Sequence, residues 1–523
     1  MADHPGTRPR PAAAGPRGRR GDLAWLAPVA AAYALVQLLL VVPGTGLGWD
    51  ETVYVSQVSR QSPAAFFSAP RARGITYLVA PVAALTASPT ALRVYLALLS
   101  SAALLLCLWV WRRLLPAPVL ALAGGLFAGL WVTLLYGPQA MPNLWVAFGA
   151  LLAVGCFLRA SRDQADRLAP VGLTAGVALA ALMRPMDASW LVLPLVCAVV
   201  AVPAWRRPAL LAALAAGAVL GGIEWVVEAE LRYGGLLARL RRASEIQGGL
   251  GWNPAFADQL RALDGRTLCR PCEGPWSRPV TGLWWLALPP LIVGGLIVAH
   301  REGWRRVILV PTVVGLSLAA PYLLLIGYAA PRFLLPAYGL LSLPVSVLLA
   351  RLITAGRARS RGSGGARALT ALCLALAGLH LAVQLAITAA AAERSRASRK
   401  AFTAVAAELR RQGLRPPCVI SGSEGVRVAF HTGCASRQVH GGHDGSITAE
   451  ELVALARTRP VAVLVQGNQP PSWARGWRSH RLPDVPGVPG YRAYLSRSRR
   501  GFGGSGRLRR PVPEVPRTGG TPR

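Results

Sequence analysis

Two adjacent carboxylates, Asp50 and Glu51, follow the first long apolar run of the chain. They lie in the stretch GWDETVY at 48–54, and the apolar run covers residues 23–42. A carboxylate placed there can act as a general base or hold a divalent cation. It can also do no chemistry, because Asp50 could cap a short helix beginning at this point or simply be solvated. Which reading holds depends on the elements that position the pair.

The composition is that of a polytopic membrane protein. Of the 523 residues, 53% are hydrophobic and only 15% are charged, which excludes an ordinary soluble domain. Apolar runs long enough to cross a bilayer as helices recur along the chain. The first run is predicted to be a retained span, because no signal-peptide cleavage site and soluble domain follow it. We predict eleven spans, at 23–43, 89–111, 118–136, 142–159, 169–183, 188–205, 208–227, 280–299, 307–328, 332–353 and 368–392.

The distribution of arginine predicts the orientation. The formal net charge is +34, and Lys400 is the only lysine. Such basicity can indicate nucleic-acid binding, but here the arginines concentrate in the N-terminal tail and in short loops between spans. Short basic loops face the cytoplasm. The sequence therefore predicts a multi-pass protein of the cell membrane that binds no nucleic acid, with its N-terminus inside and its C-terminal domain outside.

The predicted domain organisation follows from these spans. Residues 1–22 form a basic, disordered cytoplasmic tail, and 23–392 form an all-α transmembrane bundle with long outer loops at 44–88 and 228–279. Residues 354–367 are predicted to be a flexible inner linker. Strand-like and helix-like segments alternate in 393–496, which predicts a small extracytoplasmic α/β domain. The Gly-, Pro- and Arg-rich tail at 497–523 is predicted to be disordered.

The cysteines form two groups. Four lie singly in predicted spans, and the other four form the pairs Cys269/Cys272 and Cys418/Cys434, both in segments predicted to be outside. Disulfides persist in that compartment, so each pair is a disulfide candidate. A CxxC such as 269–272 could instead be redox-active or half of a zinc site.

Four motifs together resemble the GT-C fold of polyprenyl-phosphate-dependent glycosyltransferases, in particular the protein mannosyltransferase and aminoarabinose transferase branch. The motifs are GWDETVY, RARGITYL (71–78), LMRPMD (182–187) and APRFLLPAY (330–338), and the similar plan covers roughly 1–400. The resemblance implies a membrane enzyme that moves a hexose or pentose from a polyprenyl-phosphate carrier to a glycan, lipid or protein acceptor of the cell envelope. It places this reaction at the outer face.

The resemblance also implies roles for individual residues. Asp50 matches the acidic position of the family and is the candidate base, which Glu51 would position or assist. The departing phosphate needs cationic partners, and the guanidinium fork of arginine suits phosphate. Inversion at the anomeric carbon is expected if attack and departure occur on opposite faces. The remaining candidates for substrate binding at the outer face are Arg71, Arg73, Arg184, Arg332, Tyr54 and Tyr338. The alternative for each is structural: helix-end arginines can extend to the interface, loop arginines can be ordinary surface charges, and the tyrosines are foremost interface aromatics.

The chain departs from the family in one respect. Some relatives carry a further metal-binding carboxylate in the next outer loop, whereas YGPQAMPN at 136–143 contains no acid. The sequence thus predicts no certain cofactor and leaves a divalent metal open, with Asp187, Glu224 and Glu228 as substitute ligands. A histidine cluster near Cys434 fits no standard zinc spacing; its members are His431, His440 and His443.

Two other function classes remain at this stage. A transporter or flippase of lipid-linked sugars predicts charges in the middle of spans or internal repeats, and few such charges occur. A non-catalytic scaffold predicts that neutralising Asp50 has no effect. The carboxylates lie at one membrane face, which favours surface chemistry over transit.

Overall fold

A computed structural model of the chain describes residues 19–496 except 250, 271, 273–275, 277, 360–363, 440–444 and 468. Residues 1–18 and 497–523 of the two predicted tails lie outside the described residues, as do His440 and His443. Most of the predicted inner linker is helical, because one helix continues to Arg359 and the next begins at Gly364.

The bundle consists of helices that run up and down between two faces. Apolar side chains surround most of these helices, as expected for segments that lie in lipid or in the bundle interior. In chain order they are α1 (Arg19–Val36), α2 (Trp49–Ser56), α3 (Gly74–Ala83), α4 (Pro89–Trp111), α5 (Ala117–Ala128), α6 (Trp131–Tyr136), α7 (Pro142–Arg162), α8 (Leu168–Met183), α9 (Pro185–Ala201), α10 (Pro208–Tyr233), α11 (Leu236–Ile246), α12 (Phe256–Ala262), α13 (Leu283–Arg301), α14 (Arg305–Leu324), α15 (Leu335–Arg359) and α16 (Gly364–Arg411).

Among the described residues, 8 helices are long and apolar enough to cross a membrane. Shorter apolar helices, including α5, α8 and α9, pack among them. Each of the eleven predicted spans coincides with one of these segments, so the predicted polytopic bundle is confirmed. The predicted loop 44–88 contains two helices, α2 and α3, and the predicted loop 228–279 begins inside α10, which continues to Tyr233.

One predicted span, 118–136, is broken into α5 and α6. The break at Gly129 and Leu130 frees backbone groups inside the bundle, where no water satisfies them. The Oε1 atom of Gln384 on α16 accepts a hydrogen bond from the Trp131 backbone N–H at 2.9 Å. A buried amide side chain thus completes the interrupted helix.

The last helix is much longer than the predicted span. α16 continues past residue 392 to Arg411, so the predicted domain boundary at 393 falls inside it. Apolar residues in its second half keep a helical spacing and are buried, namely Phe402, Val405, Ala406 and Leu409. These side chains pack on the C-terminal sheet, which explains why the helix does not end at the membrane.

The C-terminal domain is α/β, as predicted. Its strands are β1 (Val419–Gly422), β2 (Ala435–Ser436), β3 (Val461–Gln466), β4 (Arg478–Arg481) and β5 (Tyr491–Leu495), and its helices are α17 (Gly425–Thr432) and α18 (Ala449–Thr458). The sheet order is β2-β1-β3-β5-β4, with β1 parallel to both neighbours and β5 antiparallel to both of its neighbours. The strands β2, β4 and β5 were not predicted; β2 has only two residues and β4 is strongly charged.

Candidate active site

The helix α2 begins directly after the first span and presents both carboxylates. Gly48 is its N-cap residue, so Asp50 and Glu51 lie in the first turn. The Gly48 backbone N–H donates to Glu51 Oε2 at 2.9 Å. Glu51 therefore supplies the cap that could have come from Asp50, and the Asp50 carboxylate is left for other partners.

Glu51 is buried in an ion pair with Arg93 of α4. The Arg93 Nη1 and Nη2 atoms lie 2.5 and 2.7 Å from the two carboxylate oxygens. The Ala140 backbone N–H also donates to Glu51, and Arg93 donates to the carbonyls of Gly46 and Pro138. Both carboxylate oxygens of Glu51 accept hydrogen bonds, and through them Glu51 connects α2 to α4 and to the loop after α6. These contacts hold the first turn of α2, and with it the backbone of Asp50, in place.

Asp50 lies between two arginines that come from distant parts of the chain. Its Oδ1 is 2.9 Å from Arg71 Nη2, and its Oδ2 is 3.2 Å from Arg332 Nη2. The Asp50 side chain is 36% exposed, whereas each arginine is only 11% exposed. The carboxylate is therefore held by buried cations from behind while its open side remains accessible.

The accessible side of Asp50 faces a cavity of about 1080 Å³. The cavity is lined by α2, the end of α6, Arg332 and the loop 264–268. The middle of α16 also lines it, as do Glu424, Arg427, Pro486 and Gly487 of the C-terminal domain. The bundle and the C-terminal domain thus build one site together. Its basic lining residues are Arg266, Arg278, Arg332, Arg394, Arg399 and Arg427.

Both arginines at Asp50 hold unused donors. Arg71 Nη1 and Arg332 Nε are buried and have no hydrogen-bond partner among the described residues. An unmet buried N–H is costly, and a charged one more so. Two guanidinium groups with spare donors that meet at one carboxylate are suited to an oxyanion such as a phosphate.

Arg73 is outside this site. Its Nη2 atom lies 2.5 Å from Glu228, which also pairs with Arg239 at 2.9 Å. The fully buried Arg239 donates in turn to the carbonyl of Arg71, as does the Trp225 indole N–H. This cluster fixes the backbone at Arg71, so Arg73 supports the site from a distance.

Arg184 forms a second buried cluster beside the site. It pairs with Asp187 at 2.8 Å and donates to the Tyr322 hydroxyl, which donates to Asp187. The ring of Phe333 lies between Arg184 and Arg332, 5.4 and 5.2 Å from the two guanidinium carbons. Arg184 is therefore next to the ring that Arg332 also contacts, and it does not line the cavity.

The two candidate tyrosines have different surroundings. Tyr54 is buried on α2, packs edge-on to Phe67, and lies 5.6 Å from the Arg71 guanidinium. Tyr338 is buried against Trp284 and lines no part of the cavity. A tyrosine that the sequence did not single out, Tyr136, does line it, and its hydroxyl accepts a hydrogen bond from Arg332 at 3.4 Å.

Two further arginines that support the site, Arg93 and Arg239, were not predicted from the sequence. Arg93 carried a signal, because a charge inside an apolar span is costly and is retained where it has a partner. Arg239 carried none, since it is one of many arginines in a polar segment. The arginines of α16 lay beyond the predicted end of the last span, where nothing linked them to Asp50.

The carboxylates named as substitute metal ligands are already engaged. Glu228 binds Arg73 and Arg239, Glu224 lies 3.7 Å from Arg73, and Asp187 binds Arg184. Within the described ranges no group of three or more His, Cys, Asp or Glu side chains could hold a metal ion.

Both cysteine pairs outside the spans are disulfides in the structure. Cys269 pairs with Cys272, beside a bridge to Ala329 that places the cavity loop, and Cys418 pairs with Cys434 in the C-terminal domain. Because Cys434 is bonded to Cys418, it has no thiolate to offer a zinc ion together with His431.

The bundle, the acidic first turn of α2 and the outer α/β domain define the chain as a polytopic membrane protein of the GT-C fold. No protein-family model and no curated protein matches the sequence. Its solved structural neighbours include ArnT from Cupriavidus metallidurans bound to undecaprenyl phosphate, with a TM-score of 0.66 and 13% identity, covering 91% of this chain and 99% of that one. ArnT in the apo state gives a TM-score of 0.59 at 13% identity, covering 91% and 98%. The fold predicted from the sequence is confirmed.

Proposed function

We propose that the chain is a glycosyltransferase that moves a sugar from a polyprenyl-phosphate donor to a hydroxyl of a cell-envelope acceptor. The observation that carries the proposal is Asp50, which lines the cavity together with Arg332 and also pairs with Arg71. A carboxylate open on one side and two guanidinium groups with spare donors are what this reaction needs. The neighbouring structure of ArnT with undecaprenyl phosphate, in the same fold, supports a lipid phosphate as the donor group.

The reaction balances with these groups alone. The acceptor oxygen attacks the anomeric carbon while Asp50 takes the proton of that hydroxyl. The bond between the anomeric carbon and the phosphate oxygen breaks, and its electron pair leaves with the polyprenyl phosphate. Arg71 and Arg332 stabilise the charge that develops on the leaving phosphate. Attack opposite to departure inverts the anomeric configuration.

The ion pairs of Asp50 explain how the site is kept ready without substrate. The two arginines orient the carboxylate. An arriving phosphate competes for the same guanidinium groups and weakens their hold on Asp50. The carboxylate is then released to meet the acceptor hydroxyl.

The cavity faces the end of the bundle opposite to the basic short loops, where Arg113 and Arg159 both pair with Asp166. The positive-inside rule assigns those loops to the cytoplasm. We accordingly place the reaction at the outer face of the cell membrane, with the N-terminus inside.

The test is sugar transfer from a panel of labelled polyprenyl-phosphate sugars in membranes that contain the full chain. Asp50→Asn removes the base and keeps the size of the side chain. Asp163→Asn is the matched control, because Asp163 is exposed in the loop after α7, and its Oδ1 accepts a hydrogen bond that asparagine can also accept. We expect wild type and the control to transfer equally, and Asp50→Asn to lose at least about 100-fold.

Two results would contradict parts of the proposal. Unchanged transfer by Asp50→Asn, at equal protein level, would remove Asp50 as the base and leave the enzyme. No transfer from any donor of the panel would count against the enzyme itself.

A further inference from the structure

We propose that the chain binds an anionic phospholipid in a groove at the membrane face opposite to Asp50. The groove lies between α9 and α14 and encloses about 880 Å³. Apolar side chains of both helices line it, and Arg305 and Arg306 stand at one end. This lipid site is independent of the proposed sugar transfer.

Two hydrogen bonds join the two helices at the end of the groove that lies away from Arg305 and Arg306. The Tyr322 hydroxyl donates to Asp187, and Ser317 Oγ donates to the Trp190 carbonyl at 2.7 Å. Both contacts join the start of α9 to the end of α14. Pro194 lies inside α9 and lines the groove, and a proline within a helix removes a hydrogen bond and bends it. Away from the fastened end the helices leave a space between them.

The end of the groove at Arg305 and Arg306 carries positive charge, and no acidic side chain among the described residues pairs with it. Arg305 and Arg306 are exposed, and neither side chain forms an ion pair or hydrogen bond with the part of the chain that the structure describes. The Arg306 guanidinium lies 5.8 Å from the ring centre of Trp205, an aromatic type that favours the membrane interface. Basic pockets between membrane helices on the cytoplasmic side bind anionic headgroups.

The length of the groove suits an acyl chain that starts at these arginines. From Arg305 to Ala320 the helix rises about 22 Å at 1.5 Å per residue. The hydrocarbon core is about 30 Å thick, so the groove covers one leaflet and part of the next. A polyprenyl carrier with its phosphate at Asp50 has its anionic end at the other face. The occupant that matches both the charge and the apolar wall is therefore a phospholipid of the leaflet on the Arg305 side.

The test is native mass spectrometry of the full chain, released from detergent micelles after titration with phosphatidylglycerol or phosphatidylcholine. We compare wild type with R305Q/R306Q and with R162Q/R301Q. The second pair is the matched control, because Arg162 and Arg301 are exposed at the same membrane face and do not line the groove. Ala201→Phe fills the groove without altering its charge.

We expect wild type to retain phosphatidylglycerol in preference to phosphatidylcholine. Each arginine near the headgroup contributes about fivefold, so R305Q/R306Q should lose about 25-fold in this preference, and R162Q/R301Q should lose little. Ala201→Phe should lower the retention of phosphatidylglycerol with both arginines present. Equal retention of the two lipids by wild type would overturn the proposal. An equal loss in the control pair, or unchanged retention in Ala201→Phe, would also overturn it.

Discussion

The ion pair between Glu51 and Arg93 gives the sharpest test of how the site is built. Both side chains are almost fully buried, at 2% and 1% exposure, and two contacts of 2.5 and 2.7 Å join them. Glu51→Gln removes the negative charge and turns an amide N–H group towards the guanidinium. Arg93 is then a buried cation without a counter-charge, for which the cost is about 3–5 kcal/mol. That is a large part of the 5–15 kcal/mol that typically separates folded from unfolded protein.

A double-mutant cycle separates this structural role from chemistry. Glu51→Gln, Arg93→Met and the double variant form the cycle, in which the glutamine keeps an acceptor for the backbone N–H groups that Glu51 binds. We expect Glu51→Gln to lower the free energy of unfolding by about 3–5 kcal/mol, and the added Arg93→Met to recover part of that loss because it removes the unpaired cation. Unfolding is followed in detergent micelles by tryptophan fluorescence as a function of added SDS.

One result would refute the structural assignment. If Glu51→Gln unfolded like wild type but transferred no sugar, Glu51 would act in the reaction and not through the position of α2. If the double variant stayed as unstable as Glu51→Gln, the pair would not account for the loss.

Three further predictions concern the lipid phosphate, the outer domain and its pH response. Arg332→Lys keeps a charge but loses the fork at the leaving phosphate, so the turnover rate should fall about 100-fold in the transfer assay, and an unchanged rate would exclude Arg332 from that role. Burial, together with neighbouring arginines, lowers the pKa of His431 from 6.5 to about 4. Because the unfolded chain binds the extra proton, the stability from neutral His431 is complete above about pH 6.5 and is lost as the pH falls towards 4. After allowance for partial exposure, this contribution to the free energy of unfolding is about 1–2 kcal/mol. His431→Gln should therefore reduce the change in the free energy of unfolding between pH 4 and 7, and an unchanged pH dependence would contradict the assignment. Replacing Cys418 and Cys434 by alanine should destabilise the outer domain by about 3 kcal/mol in thermal unfolding, since their disulfide closes a loop of 16 residues; equal unfolding of the variant and wild type would show that the loop closure contributes nothing.

The bundle was predictable because the local composition of each span, a long apolar run, identifies it as a membrane helix. The broken span was not predictable, because the partner of Trp131 is Gln384, 253 residues away. The extension of α16 was hidden because its apolar stripe faces a sheet rather than lipid.

The candidate site was predictable in its chemistry and not in its geometry. Asp50, Arg71 and Arg332 each follow or precede an apolar segment, and a resemblance to a family brought them together. Nothing local distinguishes Arg71, which contacts Asp50, from Arg73 two residues later, which contacts Glu228. The difference arises because Arg239 and Trp225 fix the carbonyl of Arg71, and those contacts depend on the packing of α10 and α11.

The continuity of α16 limits how this protein can be divided. Its first half lies among the membrane helices, its middle supplies Arg394 and Arg399 to the cavity, and its end supports the sheet. A chain cut at residue 392 would lose a wall of its own cavity along with the outer domain. The outer domain is therefore not a detachable module, and exchanging it between related proteins would require a junction near residue 411, beyond the cavity, rather than at the membrane surface.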